Sequence, residues 1–293
     1  MRVDLDKYRE AGRIASLARK RAVAAVKPGV RYVDVLDDTE AFIRSQGGDL
    51  AFPAQVSVNH VAAHDCCGPD DTRTFAAGDV CKVDLGVHVD GCIADTAETA
   101  DLGGHDELLA ASRSALEAAI ALVRPGVRTR ELGTAIEAAM KALGLKPISN
   151  LTGHGIAPYT IHCSPSIPNV PELHDSTLKE GMLICIEPFA TTGRGSVVEQ
   201  GPAQVFGARR KLKAPKHVDS ALVDQIAARK GLPFCRRELV RAQGPSAEAG
   251  LRELIRAGAV FEYPPLVERT GSLVAQFEHT MLVGERGAEV MTR

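Results

Sequence analysis

Two stretches of this chain repeat one another. Val26-Lys27-Pro28-Gly29-Val30-Arg31 returns as Val123-Arg124-Pro125-Gly126-Val127-Arg128, an offset of 97, and the offset persists as Glu40-Ala41 maps onto Glu137-Ala138 and Gly47 onto Gly144. Eight of the 22 positions from Val26 to Gly47 recur in register without a gap, which makes duplication the first constraint on the fold. Each copy follows a helical stretch, Ala11 to Ala25 and Leu108 to Val123. Each then places a Pro-Gly turn before an amphipathic helix that stops at glycine. Strand signals recur too: Gly78 to Asp84 and Gly181 to Glu187 each run six residues from a glycine to an acid. The pattern predicts two fused α+β halves, each ending a strand on a carboxylate, with pseudo-symmetry bringing Asp84 and Glu187 toward one centre.

One segment breaks the repeat. Between Gln200 and Glu262 the periodicity turns helical, over Ser220 to Lys230 and Glu248 to Ala257, behind the basic run Arg209-Arg210-Lys211-Leu212-Lys213. It reads as a helical insertion subdomain, 200–262, interrupting a single domain of residues 1–293. The basic stretch 209–216 fits a solvated face, with a ribosomal contact as the alternative.

With 293 residues, 45% hydrophobic and 25% charged, the chain can build one large core or two unequal ones. A net charge of −2 excludes a global pull toward nucleic acid or membrane. No run reaches the roughly 18 apolar residues that span a bilayer, and charges sit where a signal peptide needs an apolar core. A cytoplasmic protein is expected. Seven scattered cysteines, Cys66, Cys67, Cys81, Cys92, Cys163, Cys185 and Cys235, lack zinc-knuckle spacing and read as small buried hydrophobes in a reducing compartment.

The stretch Val80 to Thr99 reads as a hairpin turned at Asp90-Gly91. Pairing Val89 with Cys92 sets Gly86 opposite Asp95 and Asp84 opposite Ala97, so the two aspartates fall on one face as diagonal neighbours, roughly 7–8 Å apart at the backbone. Such carboxylates repel unless protonated or bridged by a cation, and Gly86 leaves open space beside Asp95. A solvated polar face would satisfy the hairpin alone equally well. A second element is Gly153-His154-Gly155, followed by His162; its imidazole suits either a metal or an ordinary loop hydrogen bond. A third, Leu273 to Thr280, alternates so that Leu273, Ala275 and Phe277 are buried while Gln276, Glu278 and Thr280 share the opposite face. Together Asp84, Asp95, His154, Glu187 and Glu278 form an oxygen-rich donor set suited to two divalent ions that activate water.

These residues resemble the methionine aminopeptidases of the pita-bread metallopeptidase family, in the type II, archaeal-like branch. The resemblance rests on Phe52-Pro53 with Asn59 and Ala62-Ala63-His64, Val83-Asp84-Leu85-Gly86, Asp95-Thr96-Ala97 and Gly153-His154-Gly155. It continues through Ile161-His162, Ile167-Pro168-Asn169, Ile186 to Thr191, Tyr263-Pro264-Pro265-Leu266 and Ala275 to Thr280. It covers essentially the whole chain. What it implies is an α+β pita-bread fold of two pseudo-symmetric halves around a dimetal site, with Asp84 on one ion, His154 and Glu187 on the other, and Asp95 and Glu278 on both. Glu187 would shuttle the proton, His162 stabilise the tetrahedral intermediate and His64 orient substrate. Phe52, Ile161, Phe189 and Tyr263 would wall the methionine pocket, with His64 and His162 also touching substrate. The long insertion and the first helix starting near residue 6 match the archaeal-like form. The resemblance further implies a monomer acting on nascent polypeptide N-termini that begin with Met, using two ions among Co, Mn, Fe and Zn. Alternatives are a proline-specific aminopeptidase or prolidase, from which the insertion and early first helix separate it, and a non-catalytic ribosome- or nucleic-acid-binding relative, against which the intact ligand set speaks.

Overall fold

In the computed structural model, which describes residues 4–173, 175–209 and 211–293, the sequence repeat is a repeat of structure. The first half runs α1 (Leu5–Ala25), α2 (Tyr32–Ser45), β1 (Asp49–Val58), β2 (Val61–Ala63), β3 (Val80–Val89) and β4 (Cys92–Asp101). The second opens with α3 (Asp106–Ile120) and α4 (Thr129–Ala142), then β5 (Lys146–Pro147), β6 (Thr152–Ala157), β7 (Thr160–Pro168), β8 (Leu183–Ile186) and β9 (Phe189–Thr191). Gly29 and Gly126, at φ +85 and +90, are the left-handed residues of the two Pro-Gly turns. Their amides meet the equivalent carbonyls of Phe75 and Leu178 at 2.8 and 2.9 Å. Arg31 bridges Thr74 as Arg128 bridges Thr177, and Gly78 binds Leu102 as Gly181 binds Val283.

Helix packing follows from small residues. On α1 the buried positions include Ala11, Ala15, Ala18 and Ala22, a stripe of helical period that lets the helix lie close on the β3–β4 hairpin. The Asp4 carboxylate caps its first turn at Lys7 N. One core joins α1 and α2 to β1 and β3; a second joins α3 and α4 to the strands of the other half.

After β9 come β10 (Val198–Glu199), β11 (Val205–Ala208), α5 (Ser220–Ala228), β12 (Phe234–Cys235), α6 (Arg236–Gln243), α7 (Ala247–Arg256) and β13 (Val260–Tyr263). The helices expected at Ser220 and Glu248 are there, but among the described residues this segment also holds α6 and a sheet ordered β12-β11-β13. Strands of two to four residues are too short to leave a period in sequence, so a purely helical reading missed them. In the basic run Arg209, Lys211 and Lys213 are exposed; Arg210 lies outside the described residues. The chain closes with β14 (Leu266–Val267), β15 (Val274–Gln276), β16 (His279–Val283) and β17 (Ala288–Val290). The largest sheet is ordered β17-β16-β8-β6-β7. No helix among the described residues is long and apolar enough to cross a membrane.

Candidate metal centre

The first two carboxylates come from the β3–β4 hairpin. Asp90 and Gly91, at φ +49 and +88, make a turn with two left-handed residues, and the register follows: Val89 pairs with Cys92, Gly86 with Asp95 and Asp84 with Ala97. Asp84 lies inside β3 rather than at its end, because the strand continues to Val89. Nor is the space at Gly86 open. Phe52 pairs with Gly86 from β1, and a Cβ there would stand 2.3 Å from the Phe52 ring. The glycine admits the aromatic ring to the cavity wall.

His154 sits on β6 between two glycines for a steric reason. A Cβ at Gly153 would lie 2.3 Å from the Cys185 carbonyl oxygen on β8, and one at Gly155 would lie 2.3 Å from that of Ser164 on β7. Only glycine lets β6 run between such close neighbours. His154 Nδ1 is 3.3 Å from the Gly155 carbonyl, which fixes its proton there and leaves the Nε2 lone pair facing Asp95 and Glu187 at 3.8 and 3.6 Å. Glu187 follows directly on β8.

Glu278 lies between β15 and β16, and threonine hydroxyls clip this segment to β4. Thr99 Oγ1 donates to Gln276 O at 2.7 Å and accepts from Gln276 N at 2.8 Å; Thr96 Oγ1 donates to Glu278 O at 2.8 Å. Thr280 Oγ1 accepts from Asp95 N at 2.7 Å and donates to Asp95 O at 2.8 Å. Asp95 of the first half and Glu278 of the second are thereby held in one frame. The alternation expected for Leu273 to Thr280 needs correction: Leu273 is half-buried, and Gln276, Glu278 and Thr280 are as buried as Ala275 and Phe277. Both faces are covered, the polar one by the opposite half.

All eleven residues expected at the site, Phe52, His64, Asp84, Asp95, His154, Ile161, His162, Glu187, Phe189, Tyr263 and Glu278, line one cavity of about 500 Å³. Sequence reasoning missed Gln55, Asn150, Ser164 and Ser166 on the walls, Val205 and Pro233 from the segment after β10, and Gln276, whose amide lies 3.4 Å from both Glu187 and Glu278. The Glx-x-Glx alternation of Gln276 and Glu278 was the available signal for the last. Cys185 was missed as well: its ligand atom and those of Asp95, His154 and Glu278 all lie within 4.8 Å of one another.

Electrostatics point to a cation. Burial pushes Asp84 up to about 7. Asp95, Glu187 and Glu278 are held well above the usual carboxylate range by burial first and by their mutual negative charge second. Asp84 Oδ1, Asp95 Oδ1 and Glu278 Oε1 are sealed from solvent without a hydrogen-bond partner among the described residues. Burial brings His154 down to about 3 and His64 to about 4, and lowers His162 also. All three imidazoles are neutral at physiological pH, His154 edge-on to His162 with centroids 4.3 Å apart. Orphaned buried carboxylate oxygens beside a neutral imidazole fit a divalent metal ion.

A duplicated α+β fold clasping carboxylates and an imidazole at the base of an open cavity defines a metal-dependent hydrolase as a class. The family model for metallopeptidase family M24 matches residues 6–213, and the chain belongs to that family. It is 44% identical to a methionine aminopeptidase of Pyrococcus horikoshii, over 99% of this chain and 100% of that one. It is 42% identical to a methionine aminopeptidase of Archaeoglobus fulgidus, over 98% of each. A crystal structure of methionine aminopeptidase from Rickettsia prowazekii matches with TM-score 0.72 at 25% identity, covering 99% of this chain and 97% of that one.

Proposed function

We propose that the chain is a methionyl aminopeptidase that removes the initiator methionine from nascent proteins and peptides. The observation that carries this is the set of unpartnered buried carboxylate oxygens beside neutral His154 at the floor of the cavity. Asp84 would hold one divalent ion, His154 and Glu187 a second, with Asp95 and Glu278 shared; the donor set admits Co, Mn, Fe or Zn. Such ions, when bound, polarise the scissile carbonyl and make water acidic.

The chain's own groups do the rest. Glu187, whose proton affinity is raised by burial and neighbouring charge, takes a proton from the attacking water as the C–O bond forms and delivers it to the departing amine as the C–N bond breaks. Neutral His162, on the cavity wall, donates to the oxygen on which negative charge develops. His64, held at φ +65 and edge-on to Tyr263 at 5.6 Å, orients the peptide. Phe52, Ile161, Phe189 and Tyr263 supply apolar wall for an unbranched thioether side chain. We further propose a cytoplasmic monomer, with any ribosome contact falling on the exposed Arg209, Lys211 and Lys213.

The test is release of free methionine from a Met-Ala-Ser peptide by chelator-treated protein resupplied with Co²⁺ or Mn²⁺, beside a peptide with proline second. Methionine release that chelator abolishes is expected. Folded protein that cleaves neither peptide with any divalent ion would overturn the assignment.

A further inference from the structure

We propose that Cys185 is a latent metal ligand, through which a thiophilic divalent ion closes the centre to water. This rests on the reading of the carboxylate cluster as a metal site. Cys185 pairs directly with His154 across β6 and β8 and with Thr280 across β8 and β16, and paired residues project to the same face. Its sulfur is 3.2 Å from Thr280 Oγ1, the hydroxyl that also bonds the Asp95 backbone. The ligand atoms of Cys185, Asp95, His154 and Glu278 lie within 4.8 Å of one another. Independently of the sulfur, Asp95 Oδ1 and Glu278 Oε1 are buried without partners, on residues only 4% and 2% exposed.

The two kinds of ion meet this set differently. A hard ion such as Mn²⁺ is satisfied by carboxylate and imidazole and leaves the thiol protonated, whereas a soft ion gains by drawing in sulfur. In that step the S–H bond breaks, a sulfur–metal bond forms and the proton leaves to solvent, with no change of oxidation state. Added to His154, Glu187, Asp95 and Glu278, Cys185 gives the ion a fifth protein donor and takes the position otherwise left for water. That is the pattern of a closed structural site, whereas a catalytic one keeps a position for water. Thiophilic ions would thus switch the centre off by filling it.

The test titrates chelator-treated protein with Cd²⁺, following the ultraviolet sulfur-to-cadmium charge-transfer band, with Cd²⁺ and Mn²⁺ affinities measured in parallel by calorimetry. Wild type should show the band. Cys163→Ala, at the half-exposed cysteine on the cavity wall, should keep it. Cys185→Ala should lose it, and the ratio of Cd²⁺ to Mn²⁺ affinity should fall at least about tenfold. Cys185→Ser, retaining a small polar side chain, should match Cys185→Ala in the spectrum and so separates sulfur from packing. Survival of the band in both Cys185 variants, or an unchanged affinity ratio, would overturn the proposal. Cadmium bound tightly to wild type without the band would remove the sulfur ligand and leave the carboxylate site standing. Failure of Cd²⁺ and Mn²⁺ alike to bind would overturn both readings.

Discussion

Asp84→Asn should make the metal-free protein more stable, although Asp84 is a proposed metal ligand. In the folded, metal-free chain Asp84 titrates near 7, against 3.8 for an unburied aspartate. The folded state therefore holds this proton more tightly than the unfolded state. The group's favourable contribution is complete below about pH 3.8 and is lost progressively as pH rises to about 7. A shift of about 3 units at ~1.4 kcal/mol each sets a ceiling of about 4 kcal/mol on that loss. Asp84 is half-buried and borders the cavity, so solvent screening brings the expected gain to roughly 2 kcal/mol above pH 7. Asparagine keeps the shape and carries no charge. Urea denaturation in chelator should place the variant's midpoint above wild type at pH 8, with the difference shrinking steadily toward pH 4. Saturating Mn²⁺ should reverse the order, since the ion binds the folded wild type. Equal midpoints in chelator at pH 8 would refute the reasoning: the carboxylate charge would then already be compensated, and the case for an uncompensated cation site would lose its electrostatic support.

Glu187→Gln should leave the fold intact and lower turnover by at least about a hundredfold through loss of the proton carrier; near-normal turnover with metal bound would remove Glu187 from that role. His64→Ala should impair turnover while calorimetry shows metal binding retained, because its ring stands at Tyr263 on the cavity wall; loss of metal would make His64 a ligand. Gly153→Ala forces a Cβ to 2.3 Å from the Cys185 carbonyl, and thermal denaturation should show a loss of at least about 2 kcal/mol, since backbone on β8 would have to shift.

Local chemistry was legible in sequence and long-range convergence was not. The Asp90-Gly91 turn fixes the register of ten consecutive pairs from Val80–Asp101 to Val89–Cys92, so Asp84 and Asp95 could be placed on one face without seeing the fold. The Pro-Gly repeat likewise announced two copies, because left-handed glycines are written directly in the residue type. The meeting of Asp95 with Glu278 depends on hydroxyls of Thr96, Thr99 and Thr280 reaching across separations of 177 to 185 residues. No pattern in a threonine marks it for that duty. Cys185 illustrates the same limit from the other side. In the short apolar run Leu183 to Ile186 every residue is buried, so composition says core and periodicity cannot say which face is core and which looks onto the carboxylate cluster. Alternation reports that a strand has two faces; only the partner sheet decides what each face meets. What the polar face of Leu273 to Thr280 and the sulfur of Cys185 would meet was therefore unreadable for one reason. In a duplicated fold whose halves close on each other, the surface a half would present to solvent alone becomes the wall of the site.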